Sequence, residues 1–556
     1  MKAFYDVVII GSGFGGAVTA CRLAQAQRDA GKPVSVCVIE RGRRYHMGEF
    51  PRNLWRSKDW WWDKEGQRGW TGLFDYRRLG EIDVIAGAGV GGTSLIYLDV
   101  QIEAFDTVWD TSGPEGNRRW PQSVGWREEM PRYYEKVRKM MRPTPVPNPP
   151  LKTLALKASA DSIDQAQRFR LLDLAVYWGK PGVRHPDPYD RGGPPQTGCE
   201  YCGECYIGCN SHSKNTLDLN YLWMARQAGA EVYSMHKAVG IVQNKDDHPQ
   251  HPSGYTVHFE DLRWNRSGSV SAGKVIFSAG AVNTTELLLR AKYGYRQRRK
   301  RFDPTLPNLS DMLGMYFSGN GDFGAIGFET NRNVSPNRGH TITGVLDYSD
   351  HFDGSGFFIE EGGIPDLIRA HFRRKPGGLS HARYVWSRLR SLLGSHGGHD
   401  LLRGLLDFMD YDTTRDALMF LIMGIDTADG KMTIDEEGRL EIQWNTTANR
   451  TFFRTIEKTL RDLVEGPPPA LDGNLFLNPT WSMQKQLITV HPLGGCPMGD
   501  DDTKGVISSE GEVYNYPNLY VADGSIVPSA LGANPSMTIA ALAERISEKL
   551  IEKGIA

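Results

Sequence analysis

Residues 5 to 42 read as strand, glycine-rich turn, helix and strand, and this unit constrains the fold more than any other stretch of the chain. Tyr5-Asp6-Val7-Val8-Ile9-Ile10 reads as a buried strand. It runs directly into Gly11-Ser12-Gly13-Phe14-Gly15-Gly16, which fits G-x-G-x-x-G through Gly11, Gly13 and Gly16. That turn opens a helix over roughly residues 15 to 30, and the next strand, Val34 to Ile39, ends in Glu40. A dinucleotide-binding βαβ unit needs this context. Gly11 permits the tight turn. Gly13 lets a pyrophosphate approach the N–H groups at the helix N-terminus, where the helix dipole favours an anion. Gly16 lets helix and strand pack closely, with Phe14 and Gly15 completing the turn. An acid at Glu40 can accept hydrogen bonds from both hydroxyls of a ribose and would repel a 2′-phosphate. A βαβ unit without a ligand is the competing reading, and the agreement of strand, turn, helix and acid argues against it.

The remaining 500-odd residues of this 556-residue chain allow a large core and two to four domains. A formal net charge of -1 gives no overall field toward nucleic acid. The chain has no apolar run of about 18 residues, so no membrane-spanning helix is expected. The N-terminus lacks the pattern of a secretory signal. Seven cysteines, four of them crowded between residues 199 and 209, make a poor disulfide framework. These features point to a cytoplasmic protein. Further strands, Lys274 to Ala279 and Leu519 to Val521, resemble the first, and helices read over Leu217 to Gly229, 447 to 464 and from Pro535 onward. A hairpin reads over Lys431 to Trp444 around Glu437-Gly438. Nucleotide-binding strands at the start, middle and end imply an α/β protein with two interleaved domains.

Four separated segments carry a family likeness: the N-terminal fingerprint; Gly87-Ala88-Gly89-Val90-Gly91-Gly92-Thr93-Ser94-Leu95; Ser278-Ala279-Gly280 through Leu288; and a C-terminal pair. The pair is His491-Pro492-Leu493-Gly494-Gly495, followed by Asp523-Gly524-Ser525 and Gly532-Ala533-Asn534-Pro535. The chain resembles the glucose–methanol–choline (GMC) oxidoreductases, and within them the cholesterol oxidase branch. The resemblance implies an FAD-binding Rossmann-like domain interleaved with a substrate domain built on an antiparallel sheet. It assigns residues 1–45, 80–110, 215–300 and 486–556 to the first, and 111–214 and 301–485 to the second. Gly89, Gly91, Gly92 and Ser94 match a flavin-contacting loop, and Asp523 with Gly524 matches the family's site at the ribityl chain and pyrophosphate. The chain departs from the branch at Ile96-Tyr97-Leu98, where cholesterol oxidases carry Asn-Gly-Gly. No histidine stands where some relatives attach FAD covalently, so binding is expected to be non-covalent.

The resemblance also places the chemistry. His491 matches the active-site histidine and Asn534 its partner asparagine; together they would hold the substrate oxygen and orient its C–H bond as hydride passes to flavin N5. An isolated histidine is more often a core residue, and the two motifs tip the balance toward catalysis. Glu360, in Phe358-Ile359-Glu360-Glu361-Gly362-Gly363, aligns with a glutamate used for double-bond isomerisation; a solvated pair of acids is the alternative. The expected substrate is a bulky apolar, sterol-like alcohol, with O2 or a separate electron acceptor. Competing functions are a lyase that keeps FAD structurally, a long-chain alcohol dehydrogenase passing electrons through an iron–sulfur centre, and an electron-transfer subunit.

Cys199, Cys202, Cys205 and Cys209 form C-x2-C-x2-C-x3-C, the spacing of bacterial ferredoxins, with Asn210 in place of the proline that follows there. An iron–sulfur cluster, a structural zinc and free or redox-active thiols are the three readings. Residues 364 to 410 interleave Lys and Arg with Leu, Phe, Trp and Tyr, and read either as a lid-like insertion in peripheral contact with a membrane or as a solvated surface. Trp55, Trp60, Trp61, Trp62 and Trp70 either line a substrate mouth or pack.

Overall fold

The computed structural model describes residues 1–29, 34–63, 69–112, 116, 118–244, 254–297, 300–328, 330, 332–350, 356–368, 416–466, 471–477 and 487–554. Two sheets dominate it. The first is seven-stranded, and its parallel part runs Glu231–Ser234, Val36–Glu40, Phe4–Ile10, Arg266–Phe277 and Leu519–Val521. Tyr5, Val7, Val8 and Ile9 have no solvent exposure, as expected of a parallel strand covered on both faces. Helix Phe14–Asp29 follows the first strand and packs on the C-terminal helix Ser536–Lys553, so the two ends of the chain share one core.

The strand expected at Lys274 begins earlier and spans Arg266–Phe277. Its second half pairs in parallel with Phe4–Ile10, while its first half forms an antiparallel ladder with Tyr255–Asp261, which in turn pairs with His236–Gln243. The helix read over Leu217 to Gly229 is broken: a 3-10 turn at Leu217–Leu219 precedes an α-helix at Tyr221–Gln227. Asn220 interrupts it, with non-helical backbone and a side chain that accepts from the Tyr221 N–H.

The second sheet is antiparallel, in the order Asn474–Leu477, Phe323–Phe328, Leu418–Gly424, Phe357–Gly362, Gly344–Tyr348 and Phe169–Leu171. Its two faces differ. On strand Leu418–Gly424, Leu418, Phe420 and Ile422 are buried, whereas Met419 and Leu421 are partly open. A small third sheet joins distant segments. Leu487–Thr489, which leads to His491, lies parallel to Ile82–Gly87, which leads to the second glycine-rich loop. The Lys431–Ile434 and Leu440–Gln443 pair forms the expected hairpin, and the expected helix spans Arg450–Glu465.

Trp60 and Trp62 are buried, whereas Trp55 is 77% and Trp61 46% exposed, so the tryptophan run divides between packed and open rings. Most of the basic stretch, residues 369–415, lies outside the described residues. Among the described residues, no helix is long and apolar enough to cross a membrane.

Neighbouring glutamates on strand Phe357–Gly362 point to opposite faces. Glu361 is fully buried and pairs with the fully buried Lys152 at 3.1 Å. It also accepts from the Thr153 hydroxyl at 2.6 Å, the Thr343 N–H at 3.0 Å and the Gly344 N–H at 2.9 Å. Every polar group there is satisfied, so removing one partner should be damaging. Lys152→Met is expected to destabilise the protein by about 3–5 kcal/mol, read as a lower midpoint in urea unfolding.

Candidate active site

The two glycine-rich segments dock on each other. The Gly91 N–H donates to the Ser12 hydroxyl at 3.0 Å, and a Cβ at Gly92 would stand 2.7 Å from the Gly13 backbone. Gly11 takes φ 101°, open to glycine and strained for other residues. A side chain at Gly15 would collide with the carbonyl of Ala522, and one at Gly16 with the carbonyl of Gly11. Gly13 differs: a Cβ there meets nothing within 4 Å, so its side faces open space beside the helix N-terminus. Phe14 packs edge-on against Tyr97 at 5.5 Å. Glu40 is buried, accepting from the Ser12 N–H at 3.1 Å, the Ser12 hydroxyl at 2.6 Å and the Gly42 N–H at 2.8 Å. Burial is the main influence on its carboxyl and raises its pKa.

Asp523 closes the cradle from the C-terminal side. Its carboxylate accepts from the Gly280 N–H at 2.9 Å and the Thr284 hydroxyl at 2.5 Å, tying the third motif to the fourth, and from the Ser525 N–H at 2.9 Å. Gly524 accepts from the Gly494 N–H at 3.0 Å and so links the two C-terminal motifs. Gly89 backs onto Arg43 and Leu95. Ser94 is buried and its hydroxyl is spent on the loop itself, donating to Gly91 at 2.7 Å and accepting from the Leu217 N–H at 3.1 Å. The Ser278 hydroxyl, beside Gly11, is buried with no hydrogen-bond partner among the described residues. Open space at Gly13, a helix N-terminus, two buried acids and an orphaned hydroxyl are the donor and acceptor set that an adenine dinucleotide requires.

His491 is held by Asp322. Its Nδ1 lies 2.8 Å from Asp322 Oδ1, while the N–H groups of His491 and Val490 and the Thr489 hydroxyl donate to Oδ2 at 3.2, 2.8 and 2.8 Å. With Nδ1–H donating to the carboxylate, Nε2 is the acceptor of the ring. Asn320, two residues from Asp322, donates to the Ala533 carbonyl at 2.9 Å and accepts from the Leu531 N–H at 2.9 Å, fixing the loop that carries Asn534. Ser318 and Leu493 pair backbone to backbone, at 3.1 and 3.0 Å. The segment Ser318-Gly319-Asn320-Gly321-Asp322 therefore grips both C-terminal motifs. It is braced by Asp426, which accepts from the Ser318 hydroxyl at 2.7 Å and the Gly321 N–H at 3.0 Å.

Glu360 enters from the antiparallel sheet. Its Oε2 accepts from Asn534 Nδ2 at 3.4 Å. Glu360 Oε1 and Asn534 Oδ1 are buried with no hydrogen-bond partner among the described residues. Burial pushes the Glu360 carboxyl up to about 8; Asn534 works the other way, and the negative charges of Glu361 and Asp322 add to the rise. The carboxyl therefore holds its proton to a higher pH than an exposed acid does and can exchange it near neutral pH.

The family described as GMC oxidoreductase matches residues 182–314 through its N-terminal part and 426–543 through its C-terminal part. A cholesterol oxidase of Acinetobacter baumannii is 30% identical, over 97% of this chain and 93% of that protein. A cholesterol oxidase of Mycobacterium tuberculosis is 29% identical, over 100% of this chain and 92% of its own. The chain belongs to the GMC oxidoreductases.

This GMC oxidoreductase is an FAD-dependent enzyme acting on CH–OH groups. The structure of a fungal aryl-alcohol oxidase matches over the full length of both chains with a TM-score of 0.56 at 15% identity, a likeness of fold. The family implies FAD, and the cradle of Gly11, Gly13, Glu40 and Asp523 is proposed as the place that would hold it. Asp322 and Asn320 stand outside the motifs that mark the family in this sequence. The only signal for them is a Ser-Gly-Asn-Gly-Asp run between the apolar Met315-Tyr316-Phe317 and Phe323. The four loop cysteines lie apart from His491 and line a cavity of their own.

Two outcomes follow from this geometry. Asp322→Asn removes the acceptor that sets the imidazole and should lower kcat about 100-fold, with the flavin absorbance per chain unchanged. Glu360 has a folded pKa above its unfolded value, so the stability it contributes below about 4.5 is lost as pH rises through about 8. Glu360→Gln should accordingly melt at a higher temperature than the parent above pH 8, and at the same temperature below pH 4.

Proposed function

We propose that this enzyme oxidises the hydroxyl of a bulky apolar alcohol of sterol-like shape. The reading is carried by one observation: Glu360 and the unpartnered Asn534 Oδ1 stand beside a stretch of apolar sheet face, bordered on its other side by the Arg170–Asp347 ion pair. Val345 and Leu421 lie directly across from Glu360, Phe358 is two residues away, and Met419 and Ile326 continue the same face. A Cβ on Gly324, opposite Leu421, meets nothing within 4 Å. An apolar stretch with an acid beside it suits a ring system larger than a simple alcohol.

FAD bound in the cradle supplies the acceptor for the hydride from the alcohol carbon. The chain's own residues do the rest. His491 Nε2, kept as an acceptor by Asp322, takes the hydroxyl proton. Asn534 holds the substrate oxygen and limits its rotation, so that the C–H bond has one orientation. Once the hydroxyl carbon of a 5-ene substrate has become a carbonyl, the ionised form of Glu360, made more basic by desolvation, takes the proton from the carbon between the carbonyl and the double bond and returns it to the far carbon of the double bond, which brings the double bond into conjugation. The two relatives are named oxidases, and O2 is the proposed acceptor here. The loop from Cys199 to Cys209 is proposed as a metal site, separate from these steps.

Anaerobic addition of a 3β-hydroxy-5-ene steroid should bleach the flavin band, and air should restore it with release of peroxide. A conjugated enone should form with the parent and fail to form with Glu360→Gln, which still bleaches. No bleaching by steroids, with bleaching by long-chain alcohols, would replace the sterol reading by the long-chain one. No bleaching across a broad alcohol panel would favour a lyase. Gly324 lies two strands from Glu360, about 10 Å away at ordinary strand spacing. Gly324→Trp should therefore raise KM for the steroid about 10-fold and leave a short-chain alcohol unaffected.

A further inference from the structure

The reading of residues 199 to 209 as a metal loop leaves open which centre it holds. Several observations decide between them. Cys199, Cys202, Cys205 and Cys209 are all free thiols and line a single cavity with two acids, Glu200 and Glu204, and two bases, Lys214 and His340. The loop wraps that cavity by left-handed backbone at Tyr201, Gly203, Gly208 and His212, with φ 54°, 70°, 87° and 53°. The Ser213 N–H donates to Cys209 Sγ at 3.2 Å, a contact that steadies a thiolate ligand.

The spacing of the sulfurs speaks against one zinc ion. Four thiolates on zinc at about 2.3 Å stand about 3.8 Å from one another. Among the described residues, the set of three or more ligand atoms lying within 4.8 Å of each other is Asp99, Cys205 and His340, and no three of the four thiols form such a set. His340 of that set is already engaged within the protein, and its ring also bonds to the Cys205 thiol. Its Nδ1 lies 2.8 Å from the Ile342 carbonyl and its Nε2 2.8 Å from Asp99 Oδ2, so both ring nitrogens already face acceptors. Thiols arrayed around a cavity at wider spacing fit a centre of several metal ions.

Charge points the same way. Lys214 is 2% exposed, and its ammonium is held by carbonyls: Cys205 at 2.9 Å, Leu95 at 3.4 Å, and Tyr97. Its hydrogen bonds go to carbonyls alone, and of the two acids that line the cavity Glu204 pairs with Arg52 and Glu200 accepts from the Ser211 hydroxyl. A buried cation without a counter-ion is unfavourable. Lys214 lines the cysteine cavity, where an anionic centre held by four thiolates would balance it.

We propose that Cys199, Cys202, Cys205 and Cys209 bind a polynuclear iron–sulfur cluster, with Lys214 as its buried counter-cation. This rests on the reading of the loop as a metal site and not on the identity of the alcohol. Lys214 also fixes the place of the cluster. Through Leu95 and Tyr97 it ties the cysteine cavity to the segment that follows the second glycine-rich loop, where Tyr97 packs on Phe14 of the FAD cradle.

The test is iron, zinc and acid-labile sulfide per chain in the FAD-loaded protein purified without oxygen, with electron paramagnetic resonance after dithionite reduction. The expected result is more than one iron, an equal count of sulfide, and a signal from a reduced cluster. Cys202 is the exposed member of the set. Cys202→Ser should keep FAD and the fold, judged by flavin absorbance and circular dichroism, and lose iron or change the resonance signal. Lys214→Met should keep iron and move the cluster's midpoint potential to a more negative value. Stoichiometric zinc without iron would overturn the cluster while the loop remains a metal site. Four thiols that titrate freely, with no metal bound, would overturn both.

Discussion

The carboxylate of Asp322 accepts four hydrogen bonds from Thr489, Val490 and His491, and the position of the His491 imidazole follows from it. Strand Phe323–Phe328 begins one residue later, so Asp322 stands at the edge of the antiparallel sheet, while its partners are the last residue of the strand that pairs with Ile82–Gly87 and the two residues that follow it. Together with the Thr489 hydroxyl on the Gly319 carbonyl and the Ser318–Leu493 backbone pair, this side chain joins the two sheets, and the imidazole takes its tautomer from it. Asn320 repeats the arrangement for the loop of Asn534. A five-residue segment thus sets the histidine and the asparagine together, from a part of the chain more than 150 residues away.

The contrast between Glu360 and Glu361 shows how much a sheet face decides. The two residues are chemically identical and adjacent, and both are fully buried. Glu361 meets a lysine, two hydroxyls and two N–H groups, and serves the fold. Glu360 meets a single amide at 3.4 Å; burial raises its pKa against that bond, and one of its oxygens is left unpartnered among the described residues. Alternation along a strand sorts them; their order in the chain alone does not.

What could be read from the residues follows the same division. The fingerprint around Gly11, Gly13 and Gly16 was legible because each glycine answers a local need, and the structure shows the clashes that any side chain at Gly15 or Gly16 would meet. The interleaving of two domains was legible from similar strands at the start, middle and end. Asp322 was not, because its role depends on a partner 169 residues away and its surroundings read as an ordinary loop. Ser94 belongs to a recognisable motif, yet its hydroxyl bonds to Gly91 and Leu217, so motif membership did not reveal what its atoms do. The break at Asn220 escaped notice because asparagine inside a helical pattern is tolerated until its side chain captures the backbone.

We propose that His491 and Asn534 hold one substrate hydroxyl, with Glu360 beside Asn534 at the edge of an apolar stretch of sheet. A crystal structure of the FAD-loaded protein with a non-reacting 3β-hydroxysteroid tests it most directly. The account predicts the steroid oxygen within hydrogen-bond distance of both His491 Nε2 and the Asn534 side chain, with the ring system lying along the face of Val345, Phe358 and Leu421. A steroid bound elsewhere, or an oxygen that touches neither side chain, would contradict it.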